Sequence, residues 1–252
     1  MNFPENTKRT IFEMPTIIKP PSVPAVYKIL YERFGPRGWW PVAKPGGKAP
    51  EYHPGRYFAK SDEERFEICV GAILTQNTSW KNVEKAMENL AGAEALSPVA
   101  VLGMPKAKLS ALIRPSGYYN QKAAKLKNFS RFIIKKNKKL GRYFGLAVDL
   151  LREELLSVNG IGPETADSIL LYAAGKPVFV VDAYTKRIGS RLGWFKSEPY
   201  DFVQKYFSCR LNNSAELFNE YHALLVETAK NFCRKKPLCG ACPLARVCGY
   251  HI

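Results

Sequence analysis

The chain has 252 residues, 46% of them hydrophobic, and 38 Lys and Arg stand against 22 Asp and Glu for a net charge of +16. Four Trp, 14 Phe and 13 Tyr in a chain of this apolar content describe a packed protein with a substantial core and exclude a disordered polycation. No run of about 18 apolar residues occurs, which excludes a membrane-spanning helix.

The positive surplus lies in two segments. Residues 95–148 contain no acid and carry Lys106, Lys108, Arg114, Lys122, Lys125, Lys127, Arg131, Lys135, Lys136, Lys138, Lys139 and Arg142. Residues 233–252 add Arg234, Lys235, Lys236 and Arg246, again without an acid, so the remainder of the chain is neutral as a set. Basic clusters of this size bind polyanions or form solvated faces.

In chain order, residues 1–22 read as a polar, proline-punctuated tail with no apolar signal core, which argues against secretion and for a cytoplasmic protein. A helical pattern over Val23–Phe34 is closed by Gly35, Pro36 and Gly38, just before Trp39-Trp40-Pro41. Residues 42–61, rich in Gly, Pro and Lys, read as an irregular loop. From Phe66 onward helical spacing dominates, as in Phe66, Val70, Ile73 and Leu74, then Val83, Ala86, Met87 and Leu90. Breakers such as Gly92, Pro98, Pro105, Pro115, Gly141 and Gly175 then punctuate an array of helices. Val178–Val181 is the one stretch that resembles a strand, too isolated to build a sheet, and Asp182 after it suits a helix N-cap. The fold class is all-α.

Of six cysteines, Cys233, Cys239, Cys242 and Cys248 are clustered near the C-terminus, while Cys69 and Cys209 read as buried small hydrophobes. Without a secretion signal, the cluster reads as a metal-ligand set rather than a disulfide framework. Four thiolates suit an iron–sulfur cluster or a structural zinc.

Leu155-Leu156-Ser157-Val158-Asn159-Gly160-Ile161-Gly162-Pro163-Glu164-Thr165-Ala166 reads as an apolar helix, a Gly-x-Gly turn and a second helix. Its glycines allow a tight turn and close approach of a partner, and the free amides at the second helix's start suit a phosphate. With Val180-Val181-Asp182 following, the chain resembles the helix-hairpin-helix DNA glycosylases of the endonuclease III superfamily. Trp39-Trp40-Pro41, Leu74-Thr75-Gln76-Asn77-Thr78-Ser79-Trp80 and Arg114-Pro115-Ser116-Gly117-Tyr118-Tyr119-Asn120-Gln121-Lys122-Ala123 resemble its 3-methyladenine branch.

The resemblance implies a two-lobed fold. Residues 66–185 would form the central helical domain with the hairpin, and residues 23–65 and 186–252 a second lobe that ends in a [4Fe–4S] loop. It implies that Asp182 is the catalytic carboxylate, that Trp39, Trp40 and Trp80 form the base pocket, and that Gln76, Asn77 and Tyr118 fill the gap left by a flipped nucleotide. Gly160, Gly162, Lys122 and Lys235 would meet DNA phosphates, and the four clustered cysteines would hold the iron–sulfur cluster. Here the first gap between those cysteines has five residues against the usual six.

Where bifunctional relatives carry a Schiff-base lysine, this chain has Glu164, which cannot form an imine. The expectation is a monomeric, monofunctional glycosylase that removes alkylated purines from double-stranded DNA and leaves an abasic site. A mismatch uracil or thymine glycosylase and a non-catalytic DNA-binding hairpin protein are the alternatives.

Overall fold

The computed structural model describes residues 19–250 apart from 45, 137 and 138. The expected tail over residues 1–22 therefore lies outside the described residues up to position 18, as does Lys138 of the basic segment.

The first helix, α1 (Val23–Phe34), begins where Ser22 Oγ accepts the Ala25 amide at 3.3 Å and ends at Gly35, whose φ of 65° a side chain would resist. Its buried Val26 and Leu30 face α12 (Ala215–Asn231), and Tyr221 Oη donates to the Val23 carbonyl at 2.9 Å. Helix α1 is thus packed against α12, across the 198 residues of sequence that separate Val23 from Tyr221.

Helix α2 (Asp62–Leu74) is capped by Ser61 and carries Asp62, Glu63 and Glu64 in its first turn, where the helix dipole favours negative charge. Every residue from Phe66 to Leu74 is buried, so this helix runs through the middle of the core. Against it lie α3 (Trp80–Gly92), α6 (Tyr119–Lys135) and α7 (Leu140–Phe144), while α4 (Pro98–Gly103) and α5 (Lys106–Leu112) pack on α6. Then α8 (Val148–Leu156) leads through the glycine turn into α9 (Pro163–Ser168), which continues as a wider π-type turn over Ile169–Ala173. The last three are α10 (Ala183–Arg191), α11 (Tyr200–Ser208) and α12. None of the described helices is long and apolar enough to cross a membrane.

Two local expectations change. Inside the supposedly irregular loop, β1 (Val42–Ala43) pairs antiparallel with β2 (Pro50–Glu51), and buried Glu67 accepts the Ala43 amide at 2.8 Å. Val178–Val181 is extended and pairs with no described strand, in keeping with its isolation, and side chains take its backbone groups instead. Gln204 donates to the Phe179 carbonyl at 2.8 Å, and the Val181 amide donates to Tyr200 Oη at 3.4 Å. Cys209 also departs from expectation: it ends α11 at the surface and is exposed, whereas Cys69 is buried as anticipated.

Both partners of the extended segment converge on Asp167, whose side chain is wholly buried. Its carboxylate accepts from Tyr200 Oη at 2.9 Å, from Gln204 at 2.7 Å and from the Arg152 guanidinium at 2.8 and 3.2 Å. One acid thereby fastens α8, α9, α11 and the approach to Asp182 together. Removing one partner from such a site strands the others without compensation. Asp167→Ala is expected to lower the unfolding free energy by ~3–5 kcal/mol, read from urea denaturation.

Candidate functional site

The glycine turn is shaped by two constraints. Gly160 has a φ of +98°, and a Cβ there would lie 2.3 Å from Lys125 Cγ, so only glycine fits the bend and the packing. Gln76 donates to the Gly160 carbonyl at 3.1 Å and to Thr165 Oγ1 at 2.9 Å, and Lys125 Nζ donates to Gln76 Oε1. The Gln76 amide is therefore engaged in bracing the hairpin. Gly162 is exposed and stands at the N-cap of α9, in the position expected for phosphate contact.

Lys122 departs from the expected role. It is 2% exposed, and its ammonium donates to the Leu74 carbonyl at 2.8 Å and the Ser116 carbonyl at 2.6 Å. A buried ammonium that two carbonyls already hold does not meet a phosphate. Instead it ties the loop after α2 to the loop before α6. Each loop carries one exposed residue in the left-handed region, Asn77 at φ 53° and Tyr118 at φ 46°, and Tyr118 is 64% exposed. Of the three residues read as duplex-filling, Asn77 and Tyr118 are thus presented to solvent on loops joined by one buried cation, whereas the Gln76 side chain is taken up by the hairpin and Lys125. Lys235 is exposed on the cysteine loop.

Asp182 caps α10, with its Oδ1 accepting the Thr185 amide at 2.7 Å. Oδ2 faces His222 Nε2 at 3.7 Å, and His222 Nδ1 is 2.6 Å from Tyr172 Oη. Burial alone would raise the Asp182 pKa, but the His222 ring and the Thr185 amide outweigh it and hold the carboxyl below its ordinary range. Glu164 moves the other way, raised by partial loss of solvent around its carboxyl and then by the Asp182 charge, although the residue as a whole stays exposed.

Trp39, Trp40 and Trp80 come together as expected, with ring centroids 4.8–5.2 Å apart in edge-to-face contacts. Gly71 on α2 leaves room for the Trp40 ring, since a Cβ there would approach its Nε1 to 2.9 Å. Trp40 also packs on Tyr172 at 5.2 Å, so the tryptophans are joined through Tyr172 and His222 to Asp182. Trp39 turns one side to a cavity of about 250 Å³ that Tyr52, Arg37, Glu227 and Lys230 also line. Trp39 Nε1, Trp80 Nε1 and His222 Nε2 are buried with no hydrogen-bond partner among the described residues.

Sequence reasoning missed Tyr172, His222, Tyr52 and Lys230. His222 is one of three histidines in the chain and interrupts the apolar face of α12, the one local sign of its role.

Cys233, Cys239, Cys242 and Cys248 line a single apolar cavity, and Arg191 Nη1 approaches Cys233 Sγ at 3.2 Å. Among the described residues no group of three or more His, Cys, Asp or Glu is placed to hold a metal ion. The donor set fits an iron–sulfur cluster in its chemistry: four thiols around a common cavity, with the Arg191 guanidinium beside one of them.

The family described as HhH-GPD superfamily base excision DNA repair protein matches residues 70–212, and the chain belongs to it. It is thereby a base excision DNA glycosylase, an enzyme acting on DNA N-glycosidic bonds. MJ1434 of Methanocaldococcus jannaschii, which carries the name of a DNA repair glycosylase, is 46% identical over 88% of this chain and 94% of its own length. Endonuclease III of Thermotoga maritima is 30% identical over 75% of this chain and 85% of its own. Among solved structures, H. pylori 3-methyladenine DNA glycosylase (MagIII) bound to 1,N6-ethenoadenine has a TM-score of 0.66 at 31% identity, covering 82% of this chain and 96% of that one. A non-covalent endonuclease III–DNA complex has a TM-score of 0.72 at 20% identity, covering 91% and 94%, and shows the shared fold.

The placement of Lys122 carries a test. Lys122→Met leaves two carbonyls unpaired and is expected to cost ~1–3 kcal/mol of stability. It should leave unchanged the slope of DNA affinity against salt, which the exposed Lys235→Ala should reduce by about 1. Burial, reinforced by the Lys125 charge, lowers the Lys122 pKa from 10.5 to about 8. The unfolded chain therefore binds more protons than the fold between those values, so wild-type stability relative to Lys122→Met should rise with pH across that window. Paired urea melts at several pH values read this difference.

Proposed function

We propose that this enzyme is a monofunctional glycosylase that flips alkylated purines of the 3-methyladenine kind out of double-stranded DNA and hydrolyses the N-glycosidic bond, leaving an abasic site. The observation that carries the reading is a carboxylate held ionised while buried, Asp182, linked through His222 and Tyr172 to a group of tryptophans with unpaired N–H groups. The similarity to H. pylori 3-methyladenine DNA glycosylase supports the choice of base.

Breaking the bond builds positive charge on the sugar, and a fixed carboxylate stabilises that charge and accepts hydrogen bonding from the attacking water. Alkylation at N3 or N7 makes a purine cationic. It is then a good leaving group, and the faces of electron-rich rings favour it. The tryptophans already contact one another, so the base stacks on the side that Trp39 turns to the cavity. Glu164 stands where an imine-forming lysine would be, and its carboxyl offers no amine to the opened sugar.

Duplex DNA is held by the hairpin amides at Gly160 and Gly162 and by the basic segments, including Lys235. Tyr118 and Asn77 enter the space that the flipped nucleotide leaves. Cys233, Cys239, Cys242 and Cys248 would hold a [4Fe–4S] cluster. When bound, it supplies a structural tie for the loop bearing Arg234, Lys235 and Lys236.

Duplexes carrying a methylated purine, uracil or a mismatched thymine, treated with alkali after incubation, test the reading. The expected result is release of the methylated purine, a fall of about 100-fold or more in Asp182→Asn with duplex binding retained, and no borohydride-trapped adduct. Release of uracil or thymine but not methylpurine would overturn the substrate. A trapped adduct would overturn the monofunctional assignment, and no release from any duplex would sink the catalytic reading.

A further inference from the structure

Asp182 is pinned through one oxygen only. Oδ1 is committed to the Thr185 amide, and Oδ2 is the atom left to face a sugar or a water. A carboxylate fixed at one oxygen still pivots, so the second oxygen needs its own restraint. The protein atom paired with Oδ2 is His222 Nε2 at 3.7 Å, on a ring 6% exposed and with no hydrogen-bond partner at that nitrogen.

Which face of the imidazole points at Oδ2 is decided by electrostatics and by Tyr172. If Nδ1 carried the proton, the Nε2 lone pair would confront a carboxylate oxygen, which is repulsive. With the proton on Nε2, an N–H faces Oδ2, and Nδ1 is left to accept from the Tyr172 hydroxyl, 2.6 Å away. Tyr172 is buried and its phenol holds its proton, so it is available as that donor. Its ring also packs on Trp40, so movement in the aromatic cluster reaches the histidine through one side chain.

We propose that His222 is a positioning residue for Asp182, its Nε2–H directing Oδ2 toward the reacting sugar, and that Tyr172 fixes the tautomer in which it does so. This rests on the reading of Asp182 as the catalytic carboxylate. His222 comes from α12, Tyr172 from the turn after the hairpin and Asp182 from the head of α10, so the three meet only when these elements are docked.

Single-turnover release of a methylated purine, measured beside equilibrium binding to the same duplex, tests the proposal. His222→Leu is expected to slow release ~10–50-fold while duplex affinity stays within about twofold, since a positioning group acts on the chemical step. His222→Gln places an amide N–H near the Nε2 position and should recover the rate to within about threefold of wild type. Tyr172→Phe keeps the ring contacts, loses the hydroxyl and should slow release ~3–10-fold. Wild-type rate in His222→Leu, or equal losses in the Leu and Gln variants, would overturn the proposal. If His222→Leu fails to fold, shown by its melting curve, Tyr172→Phe decides, and a wild-type rate there would refute it. Asp182→Asn measured in parallel separates the two claims: full activity in that variant would remove the reading of Asp182 itself, whatever the histidine variants do.

Discussion

A buried carboxylate that stays charged is costly, and much of this structure is organised around holding one. Asp182 is 14% exposed at its side chain, yet its carboxyl lies below the ordinary range because the Thr185 amide, the opening of α10 and His222 together outweigh the loss of solvent. Of those partners only His222 is distant in sequence from the strand-like run that delivers Asp182. That run is fixed by Gln204 and Tyr200, which are themselves tied to Asp167 and Arg152, so a second buried acid sets the position of the first. Misplacing the segment by a residue would cost both sets of bonds.

The same economy explains how the aromatic cluster is joined to the chemistry. Trp40 packs over α2 where Gly71 makes space and touches Tyr172, which bonds His222. The tryptophan cluster and the carboxylate are therefore parts of one contiguous set of contacts drawn from α2, α3, the turn after α9, and α12. The exposed Asn77 and Tyr118 are held on a separate device, the Lys122 ammonium between two carbonyls. In the proposed function one device presents the residues that fill the duplex, and the other receives what leaves it.

Features written in consecutive residues were legible in the sequence. The helix over Val23–Phe34, the N-cap at Asp182, the turn at Gly160 and Gly162 and the grouping of four cysteines all depend on local backbone or spacing signals. The three tryptophans were joined by resemblance to a family, and the structure brings them together. What escaped depends on partners far apart in the chain. Tyr172 and His222 are 50 residues apart, and Lys122 meets Leu74 across 48. Nothing in a basic segment distinguishes the one lysine that is buried from those that are solvated. Val178–Val181 has the β-branched pattern of a strand, but its backbone partners are side chains of α11, which strand propensity cannot reveal. The +16 charge thus divides into solvent-exposed residues such as Lys235 and residues that brace the fold such as Lys122 and Lys125.

If Asp182 works as a carboxylate kept charged in spite of burial, its ionisation must survive well into acid. The measurement that reads this most directly is the pH dependence of single-turnover release of a methylated purine, corrected for release from the same duplex without enzyme. A group whose pKa in the fold lies below 3.8 remains ionised throughout the working range, so the rate should show no acid limb between about pH 5 and 8. A rate that falls with a midpoint above about pH 5.5, and a midpoint that disappears in Asp182→Asn, would show a carboxyl raised by burial instead, and would contradict the electrostatic arrangement described for this site.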